Sequence, residues 1–327
     1  MGSFTPENEV TWPAFDELPL DPKGPRGNAW GLFGKNDQLG RLNLLTPETV
    51  KEACQEIQEG VRVSLDWSLN LPTNPSFARK PMKRGMNSIV HRSVNDETVT
   101  FDTQGSTQWD GFRHFGYIDE CRYYNGHVQE ELETTNILGI QAWVEKGGIV
   151  GRGVLLDYAA WADRQGRAYD PMTSIGIPVE DIIAVARESD ISFRSGDILF
   201  VRTGYTRAYE ELSPVEEKKI AQREIPQYIG LEASKEVLRW LWDNKFAAVA
   251  GDQPAFEQCP LGAKSDGLYM LHQWCIGGWG MPLGEMFYLE ELAQVCQRLN
   301  RYTFFVSSIP LKIPGGIASP PNAVAIF

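Results

Sequence analysis

The sequence predicts an α/β fold: a single domain with a mixed central β-sheet flanked by helices, preceded by an extended N-terminal arm. Apolar strand-like runs alternate with amphipathic helical runs through the second half of the chain, the pattern of an α/β layer architecture. At 327 residues the chain is long enough to bury one large core. After residue 26 it shows no repeat, low-complexity stretch or inter-domain linker.

Residues 1–26 carry five prolines (Pro6, Pro13, Pro19, Pro22, Pro25) and little periodicity, so an arm is expected over 1–35 and the domain over 36–327. Thr46-Pro47-Glu48 opens the first helix, with Thr46 as N-cap, Pro47 in the first turn and Val50, Ala53 and Ile57 along one face. Gly60 stops it, and the alternation over 61–65 predicts a strand. The Pro-, Asn-, Arg- and Ser-rich segment 70–102 predicts long loops with a short strand near 99–101. A helix over 136–146 has Asn136 as a cap and Gly147-Gly148 as its stop. The β-branched run 150–157 reads as a buried strand, 179–188 as a helix and 198–202 as another central strand. An amphipathic helix over 231–244, a strand over 246–250, a helix over 289–299 and a strand over 302–307 complete the pattern.

Thirty-one basic against 43 acidic side chains give a net charge of −12. That balance excludes a phosphate-neutralising nucleic-acid binder and a protein held on anionic lipid by a basic patch. No apolar run approaches membrane-spanning length, and MGSFTPENEVTWPAF lacks a signal-peptide pattern. Met1-Gly2-Ser3 resembles a myristoylation start, but Pro6 stands where Ser or Thr is required. The five cysteines (Cys54, Cys121, Cys259, Cys275, Cys296) form no C-x-x-C pair, so neither a zinc knuckle nor a disulfide framework is expected. A reduced, cytoplasmic, soluble protein is the expectation. There are four histidines, His91, His114, His127 and His272, so a metal site must lean on oxygen ligands.

Two clusters can carry chemistry. In Thr103–His114 (TQGSTQWDGFRH), Gln104, Gln108 and Asp110 are separated by even steps, which on an extended strand end turns two amides and a carboxylate to one side, with His114 nearby. The alternative is a turn in which Asp110 caps the next element and His114 bonds backbone. The second cluster runs from Leu271-His272-Gln273 through the Gly-rich 277–280 to Glu285. Alone, His272 reads as an interior histidine and Glu285 as a helix-start carboxylate.

Together these stretches resemble the cyclase family that includes bacterial kynurenine formamidases and isatin hydrolases. The family motif H-x-G-T-H-x-D-x-x-x-H is met by Q-G-S-T-Q-W-D-G-F-R-H at 104–114, and the likeness continues through RGVLLD (152–157), SGDILFVRTG (195–204), AGDQPAFE (250–257) and PLKIPGG near the C-terminus. Gln38-Leu39-Gly40 to Pro47 belongs to it too, so it runs from about residue 36. The T-Q-W-D form followed by Tyr124-Asn125-Gly126 resembles a less studied branch.

The resemblance implies a swivelling β/β/α-like fold. It puts Gln104, Gln108 and Asp110 at the first metal-ligand trio, His114 at a catalytic general acid or base, and His272 and Glu285 at the second site. Both motif ligand histidines are glutamines here, and an amide oxygen is a weak neutral donor, poor for Zn²⁺ and tolerable for Mn²⁺ or Mg²⁺. The cofactor expectation is therefore one divalent cation (Mn, Mg or Zn), on Asp110, His272 and Glu285, or none. With a cation, hydrolysis of an amide or lactone follows, with His114 moving the proton. Without one, His114 and Asp110 can serve a lyase, dehydratase or cyclase; a third reading is a catalytically dead binding scaffold.

Ten tryptophans and 11 tyrosines suggest a flat pocket for an aromatic or polycyclic substrate. Trp30, Trp67, Trp109, Phe112, Trp274 and Trp279 are the candidate walls, with Arg79 and Arg113 as partners for an acidic group. The resemblance also implies a homo-oligomer, dimer or tetramer. His91 and His127 have no assigned role.

Overall fold

The computed structural model describes residues 11–89 and 93–327; His91 and residues 1–10 of the expected arm lie outside them. Three parallel strands form the middle of a nine-stranded mixed sheet: Ile149–Asp157, Ile198–Arg202 and Ala248–Gly251. The last two are buried at every position, as expected of strands covered on both faces. On one side the sheet continues through Thr303–Ser308, Ala323–Ile326 and Arg62–Ser64, all antiparallel. On the other, Leu283–Glu285 adds in parallel, then Gln108–Asp110 and Ala318–Ser319 antiparallel.

Amphipathic helices cover the sheet: Val179–Glu188 buries Ile182 and Val185, Lys235–Asp243 buries Val237, Leu238, Leu241 and Trp242, and Glu290–Leu299 buries Leu292, Val295 and Cys296. Each such apolar side chain contributes about 1.5–3 kcal/mol on burial. No helix among the described residues is long and apolar enough to cross a membrane.

The ends of the central strands are held by buried ion pairs and caps. Arg202 donates to Asp157 at 2.6 Å and to both Glu290 oxygens at 2.9 and 2.6 Å. The Asp252 carboxylate accepts from the Thr203, Gly204 and Tyr205 backbone N–H groups and the Thr203 hydroxyl at 2.6–3.0 Å.

Several expected elements differ. The first helix, Pro47–Ala53, passes into a 3₁₀ turn at Cys54–Glu56, which leaves Ile57 exposed. Glu56 is turned inward instead and binds Thr303 Oγ1 at 2.8 Å. The 70–102 segment contains a two-stranded hairpin, Lys83–Ile89 with Val94–Thr100, longer than the short strand expected. Its second strand is exposed throughout, so no core-facing alternation announced it. The 136–146 helix begins only at Gln141: Leu138 is left-handed (φ 57°), and the Asn136 carbonyl, not its side chain, accepts from Gln141. Leu231 joins a two-residue strand, and Ser234 caps the helix that follows.

Candidate active site

The Gln108–Asp110 strand is the floor of the site. Strand alternation turns Gln108 and Asp110 to one face and Trp109 to the other. In register with its neighbour, Asp110 lies opposite Leu283, Trp109 opposite Gly284 and Gln108 opposite Glu285. The last pair meets directly, Gln108 Nε2 donating to Glu285 Oε2 at 2.7 Å. Gly284 makes room for the indole behind it: a Cβ there would lie 2.9 Å from the Trp109 ring and 2.7 Å from Ala250 Cβ.

His272 comes from a different element, the head of a π-helical turn at Gln273–Gly278. Glu257 Oε1 accepts the His272 backbone N–H at 2.8 Å and lies 2.8 Å from Nδ1. That directs Nε2 inward, 3.1 Å from Glu285 Oε1. Asp110, His272 and Glu285 are all buried and bring one donor atom each within 4.8 Å of one another. Gln104 Nε2 donates to Asp110 Oδ1, and Gln108 Nε2 lies 3.2 Å from Gln104 Oε1. Three acceptors are left over: Asp110 Oδ2, Gln108 Oε1 and Glu257 Oε2 are buried without a hydrogen-bond partner. The His114 and His272 Nε2 atoms each stand 3.9 Å from Asp110 Oδ2.

Burial raises the Glu285 carboxyl to about 7, with the neighbouring Asp110 adding to the effect. Burial pulls His272 down, but hydrogen bonds to and charges on Glu257 and Glu285 outweigh it and carry the imidazole to about 10. Burial also lowers His114, only partly opposed by Asp110, which favours a neutral imidazole. Three carboxyl groups thus crowd one imidazole, an environment short of positive charge.

The family profile described as "Putative cyclase" matches residues 61–258, more than half of the chain. The chain belongs to the cyclase family. A crystal structure described as a novel cyclase is 28% identical, covers 92% of this chain and 99% of its own, and superposes with a TM-score of 0.80. Isatin hydrolase A from Labrenzia aggregata, solved with benzyl benzoate, shares the fold at 17% identity, covering 87% of this chain and 98% of its own (TM-score 0.57). Isatin hydrolase A from Ralstonia solanacearum shares it at 16%, covering 86% and 97% (TM-score 0.59). None of the curated proteins compared with the chain matches it.

On this cyclase scaffold the aromatic candidates fall differently from the expectation. Trp109 is fully buried, edge-on to Phe287 and bonded through Nε1 to Ser308 Oγ at 2.9 Å. Phe112 is equally buried, against Tyr124 and Trp143. Trp67 packs in a satellite core with Tyr209 and bonds Glu210. Trp30 bonds the Gly277 carbonyl, Trp274 bonds that of Leu268 and stacks on Phe15, and Trp279 bonds that of Gly27. Each indole N–H finds a partner; Trp67, Trp109 and Trp279 are buried, Trp30 is half-buried, and Trp274 lines the cavity beyond Tyr117 and not the one at His114. Arg113 is likewise structural, tying the carbonyls of Leu132, Thr135 and Gly315 together. Arg79 does approach the site: it donates to the Gln104 carbonyl at 2.8 Å, and its charge acts on His114 and Glu285.

The cavity that opens at His114 measures about 430 Å³ and is walled by Phe115, Tyr117, Ile118 and Tyr123. Phe115 also lies against His272, ring centroids 5.1 Å apart. These aromatics and Glu257 were missed in the sequence. Phe115 directly follows His114, and Glu257 closes the AGDQPAFE stretch, but neither position has a periodicity that reveals its target. His127 pairs with Glu131 at 3.0 Å.

Proposed function

We propose that this cyclase-family chain is a hydrolase that opens an amide or lactone bond of an aromatic carbonyl substrate, using one divalent cation at Asp110, His272 and Glu285. The convergence of those three buried donors, beside two partnerless oxygens on Asp110 and Gln108, carries the reading. The donor set fits the group: one imidazole oriented by a carboxylate, two carboxylates and amide oxygens, a mixture suited to Mn²⁺ or Mg²⁺ before Zn²⁺. When bound, the cation supplies Lewis acidity at the substrate carbonyl and eases deprotonation of water.

The remaining work falls to the chain. His114 takes a proton from the attacking water and returns it to the leaving nitrogen or oxygen, a role matched to its neutral form. Gln104 and Gln108 fix the Asp110 and Glu285 carboxylates by hydrogen bonding. Arg79 adds positive charge that acts on His114 and Glu285.

The test is metal content after equilibration with Mn²⁺ and desalting, together with turnover of a panel of aryl amides and aryl lactones. One ion per chain, lost in Asp110→Ala along with activity, is expected; turnover insensitive to EDTA overturns the reading. That second result would favour metal-independent acid–base chemistry at His114 and Asp110, for which the amide N–H groups already bonded to Asp110 and Glu285 are the supporting observation.

A further inference from the structure

The chain has 43 acidic side chains against 31 basic ones, yet none of the residues lining the cavity at His114 is a carboxylate. Its cation is Arg122. The adjoining cavity, on the far side of Tyr117 and Ile118, carries Asp119, Glu120 and Asp266. That cavity also holds Arg26, and Asp110, 3.9 Å from His114, belongs to the donor cluster and not to the lining of the cavity at His114.

Arg122 is fixed in place by its backbone. Its N–H and carbonyl both bond Tyr117, at 3.3 and 2.8 Å, across a tight turn in which Cys121 is left-handed (φ 53°). Its guanidinium donates only to the Cys121 carbonyl, at 3.3 Å, and among the described residues it forms no ion pair. The nearby Glu131 is engaged by His127 and the Val128 N–H. Other polar groups in the wall are committed too: the Tyr123 hydroxyl donates to Gln129 and that of Tyr117 to the Arg26 carbonyl. Among the lining side chains the Arg122 fork and the His114 imidazole remain available, and Phe115 and Tyr123 line the same cavity.

We infer that the substrate is an aromatic carbonyl compound that itself bears a carboxylate, its ring against Phe115 and Tyr123 and its carboxylate on Arg122. This deepens the hydrolase reading and rests on it for the reacting bond at His114. A planar guanidinium binds a carboxylate through two parallel hydrogen bonds, whereas the equivalent neutral amide gains no charge pairing.

The test compares two ligands of one shape, 1-naphthoate and 1-naphthamide, by calorimetry on the full chain with and without Mn²⁺. Naphthoate is expected to bind about tenfold more tightly than naphthamide, and Arg122→Gln to remove that preference while leaving naphthamide affinity unchanged. In a Cys54→Ser background, where Cys121 is the remaining exposed thiol, naphthoate should slow its alkylation by iodoacetamide. Equal affinity for the two ligands, no measurable naphthoate binding, or a preference that needs Mn²⁺ but survives Arg122→Gln overturns the inference. Because binding is read apart from turnover, a carboxylate preference in a protein that hydrolyses nothing would refute the hydrolase reading alone.

Discussion

Glu257 is the sharpest place to test how the site is built. It touches no proposed substrate and offers no oxygen to the donor cluster, yet it holds His272 twice, at the backbone N–H and at Nδ1, both at 2.8 Å. Glu257→Gln keeps an oxygen in reach but removes the carboxylate; Glu257→Ala removes both contacts. Loss of a partner that orients a ligating histidine weakens metal binding by about 10–100-fold, or about 1.4–2.8 kcal/mol. Gln should fall at the lower end and Ala at the upper. Two buried donors left unpaired by Ala should also cost about 2–4 kcal/mol of folding stability. Mn²⁺ titration calorimetry of EDTA-treated protein measures the first effect and urea unfolding the second. If both variants bind Mn²⁺ as the parent does while Ala still loses stability, Glu257 is a core polar group with no part in the site, and the orientation argument fails.

Other expectations follow from the same geometry. His114→Ala should lower kcat by about 10²–10⁴-fold, the usual worth of a positioned acid–base group. Since burial lowers the His114 pKa, the neutral base persists below the ordinary histidine value of 6.5, and the acidic limb of kcat/KM should lie under it; a limb above 6.5 contradicts the assignment. Burial chiefly raises the Asp252 carboxyl from 3.8 to about 6, partly offset by its bonds from Thr203. The folded state therefore binds that proton more readily than the unfolded one, and the contribution to stability falls as pH rises from about 4 to about 6, by up to about 3 kcal/mol. Asp252→Asn should flatten that part of the urea-unfolding profile; an unchanged slope refutes the account. Gly284→Ala forces a methyl group against Phe287, Ala250 and Trp109 and should cost about 1–3 kcal/mol, read as a lower Tm.

Much of this was legible in the sequence because it depends on local periodicity. The even spacing of Gln108 and Asp110 anticipates their shared face, whereas Gln104 reaches Asp110 from a turn before the strand; the runs at 150–157, 198–202 and 246–250 mark the central strands, the last of which starts only at Ala248. Thr46 and Pro47 likewise mark the start of their helix correctly. What failed depends on partners far away along the chain. The indole N–H groups of Trp30, Trp67, Trp109 and Trp279 find partners far away along the chain, and Arg113 looked available until it met three carbonyls. Glu257 acquires meaning only when His272 is folded back onto it. The exposed hairpin keeps the apolar side chains of Met86, Val94 and Val99 in solvent, so only its end near 99–101 read as a strand.

The short strand at 108–110 has a consequence for how this site can change over time. A one-residue slip of its pairing with 283–285 would swing Trp109 into the polar pocket and turn Gln108 and Asp110 to the face that Trp109 now fills. The penalty for such a slip is a failure to fold, independent of any loss of activity. The register is therefore held by packing even where the chemistry is abandoned, whereas point replacement of Gln104, Gln108 or Asp110 leaves it intact. Sequences on this scaffold can drift in which donors they present while keeping the positions that present them.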